Sequence, residues 1–310
     1  QEVLDLGAAE SKPPNEQEVL DLGAAESKPP NENEIAVARG SGLEETRRAR
    51  GLVSSRRSGA RVDAGRIEPS DALKGWVETF WHGAWDLRGE SAHRTELIGD
   101  PCVHLVYEGS PKDLSARVVG VWTRLWTRTL SETGHVFGVK LRSGCASAML
   151  GAPIARLNNT IAPLEELLPD APAPCEVLSH SGVATNAVER LSAWLERNGS
   201  VSEENRLAHR AIRLIEEDVE LTRVESVARS LSLSVRALQR LFRDHVGATP
   251  KQVLRRHRLQ EAAGTIERGE ELSLAQLAME LGYSDQAHLT RDFKAMVGKS
   301  PGEFRRAVWE

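Results

Sequence analysis

The strongest constraint on this chain is a pattern written twice near its carboxyl end. VESVARSLSLSVRALQRLFRDHVGATPKQVLRR begins at Val224, and SLAQLAMELGYSDQAHLTRDFKAMVGKSPGEFRR begins at Ser273. Ala228, Leu231 and Ser234 recur as Ala278, Leu281 and Ser284, fifty residues on. After one inserted residue, Leu238, Arg240, Phe242, Gly247, Pro250 and Arg255 recur as Leu289, Arg291, Phe293, Gly298, Pro301 and Arg306, fifty-one on. Each copy reads as a short helix, a tight turn and a longer helix opened by serine. That is a helix-turn-helix, in which a small alanine lets two helices cross closely and the second helix enters a DNA major groove.

Local signals mark the boundaries. Ser273 with Gln276, Thr249 with Gln252 and Ser300 with Glu303 fit the capping box, and Pro250 and Pro301 fall at a first helical position that needs no amide hydrogen. Gly282 stands where the turn needs a positive φ, and Ser232 in its place predicts a strained turn in the first copy. Val235, Leu238, Leu241 and Phe242, then Leu289, Phe293 and Met296, recur at helical steps and should face a core. Arg236, Gln239, Arg240 and Arg243, then Gln286, His288, Arg291 and Lys294, remain on the outer face.

Arg can make two hydrogen bonds to guanine and Gln two to adenine, so these outer faces suit base reading. Arg243, Arg255, Arg256, Lys294, Lys299 and Arg305 are expected at phosphate. Pro250 to Arg268 reads as one helix joining the copies. At about 1.5 Å per residue it spans roughly 28 Å, close to the roughly 34 Å between successive major-groove faces. Two readers on such a strut would fit adjacent grooves.

The run LGYSDQAHLTRDFKAMVGKSPGEFRR, Leu281 to Arg306, resembles the AraC/XylS family of bacterial transcription regulators, over about the last hundred residues. The resemblance implies base-facing roles for Arg236, Gln239 and Arg240 in the first recognition helix and for Gln286, His288 and Arg291 in the second. TFWHGAWDL, DPCVHLVYEG, VVGV and HVFGVKLRSG are similar, more loosely, to the amino-terminal domain of some such regulators. That resemblance implies a domain that senses a small molecule or forms a homodimer. Where the family pattern has a proline and paired glycines after HVFGVKLR, this chain has Ser143, Gly144 and Cys145.

The chain has 310 residues, room for about two domains. A net charge of −5 alone argues against a nucleic-acid partner, but its distribution is uneven. Asn205 to Glu310 holds 18 Lys and Arg against 15 Asp and Glu, while the preceding residues hold 22 against 30. A weakly positive end binds DNA if its cations share a face. Cys102, Cys145 and Cys175 are far apart without a CxxC pair, so neither a disulfide framework nor a zinc ribbon is expected and a reducing bacterial cytoplasm, nucleoid-associated, is the simplest home. No apolar run is long enough to cross a membrane, and no cofactor is called for.

Between Ile67 and Leu141, strand-like segments run from Trp76 to Leu87, Cys102 to Tyr107, Ala116 to Thr129 and His135 to Leu141. With helical Gly144 to Leu150 and Pro163 to Leu168, they predict a small α+β domain over 66–170, with an antiparallel cupin-like or curled sheet. Trp81, Trp85, Tyr107, Trp122 and Trp126 are candidates to line an apolar ligand pocket. His82, His93, His104 and His135 form no HxH pair, and no metal is assigned. Cys102, two residues from His104, raises the alternative of a DNA-repair alkyltransferase-like or metal-dependent protein using the helix-turn-helix as an address, although the signature of those alkyltransferases is missing.

QEVLDLGAAESKPPNE at residues 1–16 recurs unchanged at 17–32, and RRAR and SSRRSGAR follow, so 1–65 reads as a solvated tail. Residues 171–202 read as a linker with an amphipathic helix from Thr185 to Arg197, whose stripe of Val188, Leu191, Trp194 and Leu195 suits the upstream domain or a second protomer. An all-α domain of two helix-turn-helix motifs then fills 203–310, beginning with a helix from Glu203 to Asp218. The expected function is sequence-specific regulation of transcription, with double-stranded DNA and RNA polymerase as partners. An adaptor that recruits polymerase with little sequence preference is the competing non-enzymatic reading.

Overall fold

The computed structural model describes residues 61–309 apart from 219 and 270–272. The repeated opening and the arginine-rich run up to residue 60 lie outside the described residues. The strands are β1 (Arg61–Ile67), β2 (Val77–Asp86), β3 (His93–Ile98), β4 (His104–Gly109), β5 (Leu114–Val119), β6 (Leu125–Leu130), β7 (Thr133–Leu141) and β8 (Ile161–Pro163). Six of them form one antiparallel sheet in the order β1-β2-β7-β4-β5-β8, and β3 pairs with β6 alone. β1 thus begins inside the segment read as a tail.

Register assigns the two faces, because side chains alternate across a strand. Phe80 pairs with Val139 and Val139 with Leu105, while Tyr107 pairs with Phe137, so these residues build one buried face. Trp81 lies opposite Gly138 and Trp85 opposite Gly134, which turns both indoles to the other face. A Cβ at either glycine would collide with the indole ring above it, so these glycines are the spaces into which the tryptophans fit.

The segment read as one strand from Ala116 to Thr129 is two. A side chain at Gly120 would strike the Leu157 carbonyl, and the loop is pinned there by Asn159. Its backbone N–H donates to Val121 O (2.8 Å), and its Oδ1 accepts from Thr123 N (3.0 Å). Trp122 and Arg124 therefore leave the sheet, and only Trp126 and Arg128 share a face of β6.

The buried face is closed by helices: α1 (Ser147–Leu150), a 3-10 turn at Ile154–Leu157, α2 (Leu164–Leu167), α3 (Pro174–Val177) and α4 (Ala187–Asn198). The predicted linker carries α3 and a small hairpin, β9 (Leu178–Ser179) with β10 (Gly182–Val183). The apolar stripe of α4 enters the core of the sheet through Leu191, Trp194 and Leu195. A side chain of that size contributes roughly 1.5–3 kcal/mol when fully buried, so this face is already committed within the chain.

The remainder is helical: α5 (Glu203–Glu217), α6 (Val224–Ser230), α7 (Val235–Leu241) with a π-helical extension Phe242–Val246, α8 (Pro250–Glu267), α9 (Leu274–Glu280), α10 (Gln286–Val297) and α11 (Pro301–Trp309). The capping boxes form as expected at Thr249/Gln252 and Ser273/Gln276, and Ser300 and Glu303 bond reciprocally. The turns carry the expected backbone, with φ +70° at Gly282 and +56° at Ser232.

Two apolar cores result. One runs without a break from the sheet through α4 and α5 into α6, α7 and the first turns of α8, taking in Phe242, Val246, Val253 and Leu254. The other gathers Leu259, Ile266, Leu277, Leu289, Phe293, Val297 and Phe304 around the second helix-turn-helix. No described helix is long and apolar enough to cross a membrane.

Candidate nucleic-acid interface

The first reader is built by its inner face. Leu238, Leu241 and Phe242 are buried, and helical spacing then forces Arg236, Gln239, Arg240 and Arg243 to the exterior, where they are exposed. With Ser234 and Ala237 they line an open groove along α7. Ser234 caps the helix, accepting from Ala237 N (3.1 Å).

The second reader follows the same plan with one shift. Leu289, Phe293 and Met296 are buried, while Gln286, Arg291 and Lys294 are exposed and His288 is about half so. The inserted residue moves the cap from serine to Asp285, whose Oδ1 accepts from His288 N (2.7 Å). Ser284 is freed for other work, and its Oγ lies 3.2 Å from His288 Nδ1. The negative cap also suits the positive end of the helix. The His288 backbone N–H, followed by the Ser284 hydroxyl and the Arg291 charge, holds the Asp285 carboxyl below the usual range.

The six residues expected at phosphate divide. Arg243 is exposed and pairs with Asp244 (2.8 Å), Lys294 and Arg305 are exposed, and Lys299 is partly so. Arg255 pairs with Asp292 of α10 (2.9 Å). Arg256 is turned inward. It is only 8% exposed, its Nε donates to Gly99 O, and its Nη2 lies 3.3 Å from Asp100 Oδ1. The reason is its place on α8: the helix lies against the Gly99–Pro101 turn of the sheet region, and that side of the helix meets protein rather than solvent. Asp100 also pairs with Lys140 (2.6 Å). Burial alone would raise the Asp100 carboxyl, but the Arg256 and Lys140 charges outweigh it and hold the group well below the usual carboxylate range.

Further contacts tie the sheet region to the helices, most extensively to the first reader and also to Met296 of the second. A cavity of about 20 Å³ at this seam is lined by Trp122, Val121, Pro101, Val253 and Met296 among others, room for a water-sized occupant only. Asn158 Nδ2 donates to Gly247 O (2.8 Å), and Gly247 sits against Ile154 and Val121 with φ +85°. The Ser143-Gly144-Cys145 loop has a structural part here. Asn205 at the start of α5 donates to Gly144 O (2.8 Å) and Ser147 Oγ (2.7 Å), and Ser147 Oγ lies 2.7 Å from His245 Nδ1 on the π-helical turn.

The five aromatic residues proposed as one ligand pocket do not come together. Tyr107 is fully buried with Phe80 and Phe137, and its hydroxyl donates to Pro172 O (3.2 Å). Trp81 and Trp85 occupy the opposite face, Trp85 beneath the Arg128 guanidinium at 5.4 Å. Arg128 and Arg117 both pair with Glu108, closing that face with charge. Trp126 belongs to β6, and Trp122 lines the small seam cavity.

Cys102 does not offer a nucleophile. It is buried 3.1 Å from Ser143 Oγ, and burial followed by the Asp100 charge pushes its thiol well above the ordinary range. His104 is pushed down to about 4 by desolvation and the Lys140 charge, so it is neutral near pH 7. Among the described residues no three His, Cys, Asp or Glu side chains are grouped to hold a metal ion. Sequence reasoning missed Asp100, Asp285 and Asp292. Only Asp285 had a signal, as a helix-capping type beside the inserted residue; the other two act through partners remote in sequence.

Two family models match the chain. Residues 227–307 match a helix-turn-helix domain, and residues 65–163 match a domain of unknown function. The probable transcription factor PqrA of Proteus vulgaris is 34% identical over 83 residues, 27% of this chain and 67% of its own length. The HTH-type transcriptional activator RhaS of Escherichia fergusonii is 31% identical over 108 residues, 35% of this chain and 38% of its own. The chain thus spans well under two thirds of RhaS. Among solved structures, the carboxyl-terminal domain of AraT, a response regulator from Geobacillus stearothermophilus, is 28% identical, covers 34% of this chain and 88% of that one, and aligns with a TM-score of 0.31.

Proposed function

Because the chain belongs to the AraC/XylS family of DNA-binding transcription regulators, we propose that it reads two successive major grooves of duplex DNA with α7 and α10. Arg236, Gln239 and Arg240 address bases in one groove, and Gln286, His288 and Arg291 in the next. Arg243, Lys294, Lys299 and Arg305 neutralise phosphate. Arg256 is left out of that set because it is buried against Gly99 and Asp100, and Arg255 because it is turned to Asp292 of α10. The observation that carries the reading is the paired exposure of polar and basic side chains on two helices whose opposite faces are fully buried.

Affinity then comes mainly from phosphate neutralisation and falls with salt, while base choice comes from the outward residues of α7 and α10. The sheet region is the controlling element, with a small-molecule effector or a second copy of the chain as its input and RNA polymerase as the output partner. RhaS, named an activator, supports the direction of that output. The test is selection from random duplexes, with and without cell extract as an effector source. A two-part motif is expected. Replacing Arg240 or Arg291 by Ala should cost roughly 1–3 kcal/mol on the preferred site and relax one base position in the matching half. Enrichment of no motif would point to the polymerase-recruiting adaptor instead.

A further inference from the structure

The strut helix changes character in its middle. Val253 and Leu254 belong to the core of the first reader, and Leu259, Ala262, Ala263 and Ile266 to that of the second. Between them runs Arg255-Arg256-His257-Arg258, a polar stretch in neither apolar core. Its arginines are tied to different bodies: Arg255 to Asp292 of α10, Arg256 to Gly99 and Asp100 of the sheet region, and Arg258 to Thr222. Thr222 stands in the segment that enters α6, so Arg258 reaches back to the first reader.

The contacts of Arg258 bridge the two copies. Its Nη2 donates to Thr222 O (3.3 Å), and its Cζ lies 5.4 Å from the centre of the Tyr283 ring, close enough for the ring face to attract the guanidinium. Tyr283 sits in the turn of the second helix-turn-helix, just ahead of α10. The same turn touches the same segment directly, because a Cβ at Gly282 would lie 3.1 Å from Thr222 Cγ2.

The duplication shows that this bridge is not part of the shared plan. Ala208, Ala211, Ile212 and Ile215 of α5 are buried as Leu259, Ala262, Ala263 and Ile266 of α8 are, fifty-one residues on. In that register Leu207 stands where the second copy has Arg258, and Leu233 precedes Tyr283 by the same fifty residues that separate Ala228 from Ala278. Both leucines are partly buried against the first core. An apolar pair that serves helix packing has become a cation and an aromatic ring, and the cation reaches a carbonyl outside its own copy. Packing alone does not call for an arginine there, whereas joining the two copies does.

We propose that Arg258 is a specificity-determining positioning residue whose bridge between Thr222 and Tyr283 sets the separation of the two reading heads, and so the spacing of the half-sites that the protein accepts. The proposal rests on the two-groove reading made above. Tyr283 leads into the start of α10, where Gln286 and His288 lie, and the first residues of a recognition helix meet the base edges. Successive base pairs are about 3.4 Å apart, so a shift by one pair carries an edge beyond hydrogen-bond reach of a fixed head. A head free to swing on the strut follows the shift. At the far end of α10, Gly298 lies against Leu125 and Met296 lines the seam cavity with Trp122, so loss of the bridge frees the reading end while that ledge remains.

The test begins with random-duplex selection on the full chain, which yields the two-part motif. Binding is then measured on that motif and on versions with its halves one base pair closer or farther apart, for the parent protein and for R258L, R258K and R258L/Y283L. The double variant installs the leucine pair of the first copy and so keeps apolar packing at the position. The parent should bind the shifted duplexes roughly tenfold more weakly, and R258L and the double variant only about twofold more weakly. R258K, which keeps a cation and a donor, should restore much of the discrimination. A variant that is merely less stable loses affinity on all three duplexes alike and keeps their ratio. The parent ratio retained by R258L and the double variant would overturn the proposal, as would a parent protein indifferent to spacing. No motif at all with the parent would sink the DNA-reading assignment, a separate failure that takes this proposal with it.

Discussion

Replacing Arg256 by Met separates two accounts of that residue. Met keeps most of the aliphatic stem and removes the guanidinium, so packing of α8 is largely preserved. What is lost is a charge-assisted hydrogen bond to Gly99 O and the pairing with Asp100 at 3.3 Å. A hydrogen bond to a charged group contributes about 1.5–3 kcal/mol. Asp100 is not orphaned, because Lys140 remains 2.6 Å away, so the larger cost of an unpaired buried charge is avoided. The expected loss is about 2 kcal/mol, a fall of roughly 0.5–1 M in the urea midpoint at an m-value of about 2–3 kcal/mol/M. Asp100→Asn should cost more, since it strips a partner from both Arg256 and Lys140. DNA binding by R256M, measured from low to moderate salt, should keep the slope of the parent protein, whereas loss of a phosphate contact lowers that slope by about 1. An unchanged midpoint together with a shallower salt slope would refute the seam assignment and return Arg256 to the DNA.

Other outcomes follow from single features. Ser232→Gly relieves a left-handed backbone at φ +56° and should raise stability by about 0.5–1 kcal/mol, read as a higher melting temperature; a lower one would show that the serine side chain contributes more than its strain costs. His104 has a folded pKa of about 4 against about 6.5 unfolded, so the unfolded chain binds the extra proton first. Stability should fall by about 3 kcal/mol as pH drops from 6.5 towards 4, and His104→Gln should flatten that part of the profile. Of the three cysteines, exposed Cys175 should react promptly with a thiol reagent, while Cys102 and Cys145 should do so only on unfolding; fast labelling of Cys102 would contradict its burial.

The helical half was legible because its determinants are local. Serine, threonine and proline announced the helix starts, and the positive φ at Gly282 followed from residue type. The doubled spacing by itself assigns both outer faces. The sheet half was legible only as strands. Nothing near Gly120 in the sequence announces that the Leu157 backbone occupies the space beside it, so the pattern suggests one strand where two exist. Trp81 and Tyr107 looked alike as pocket residues until register put them on opposite faces. Arg256 failed for the same reason: its partner Gly99 is 157 positions away, and basic character on a surface-like helix carries no record of what lies against it.

The unbroken apolar core that joins the sheet to α7 has a consequence for how the molecule is divided. Cutting the chain before α5 would strip Val121, Ile154 and Leu157 from the core that holds Phe242 and Val246, leaving the first reading head with a greasy wound, whereas the second keeps its own apolar cluster and loses only its edge contacts near Met296 and Gly298. The two heads are therefore unequal tenants of the same helix: one is masonry of the upstream body, the other leans on that body only along a narrow ledge at Met296 and Gly298, and local opening should visit the second at lower free energy.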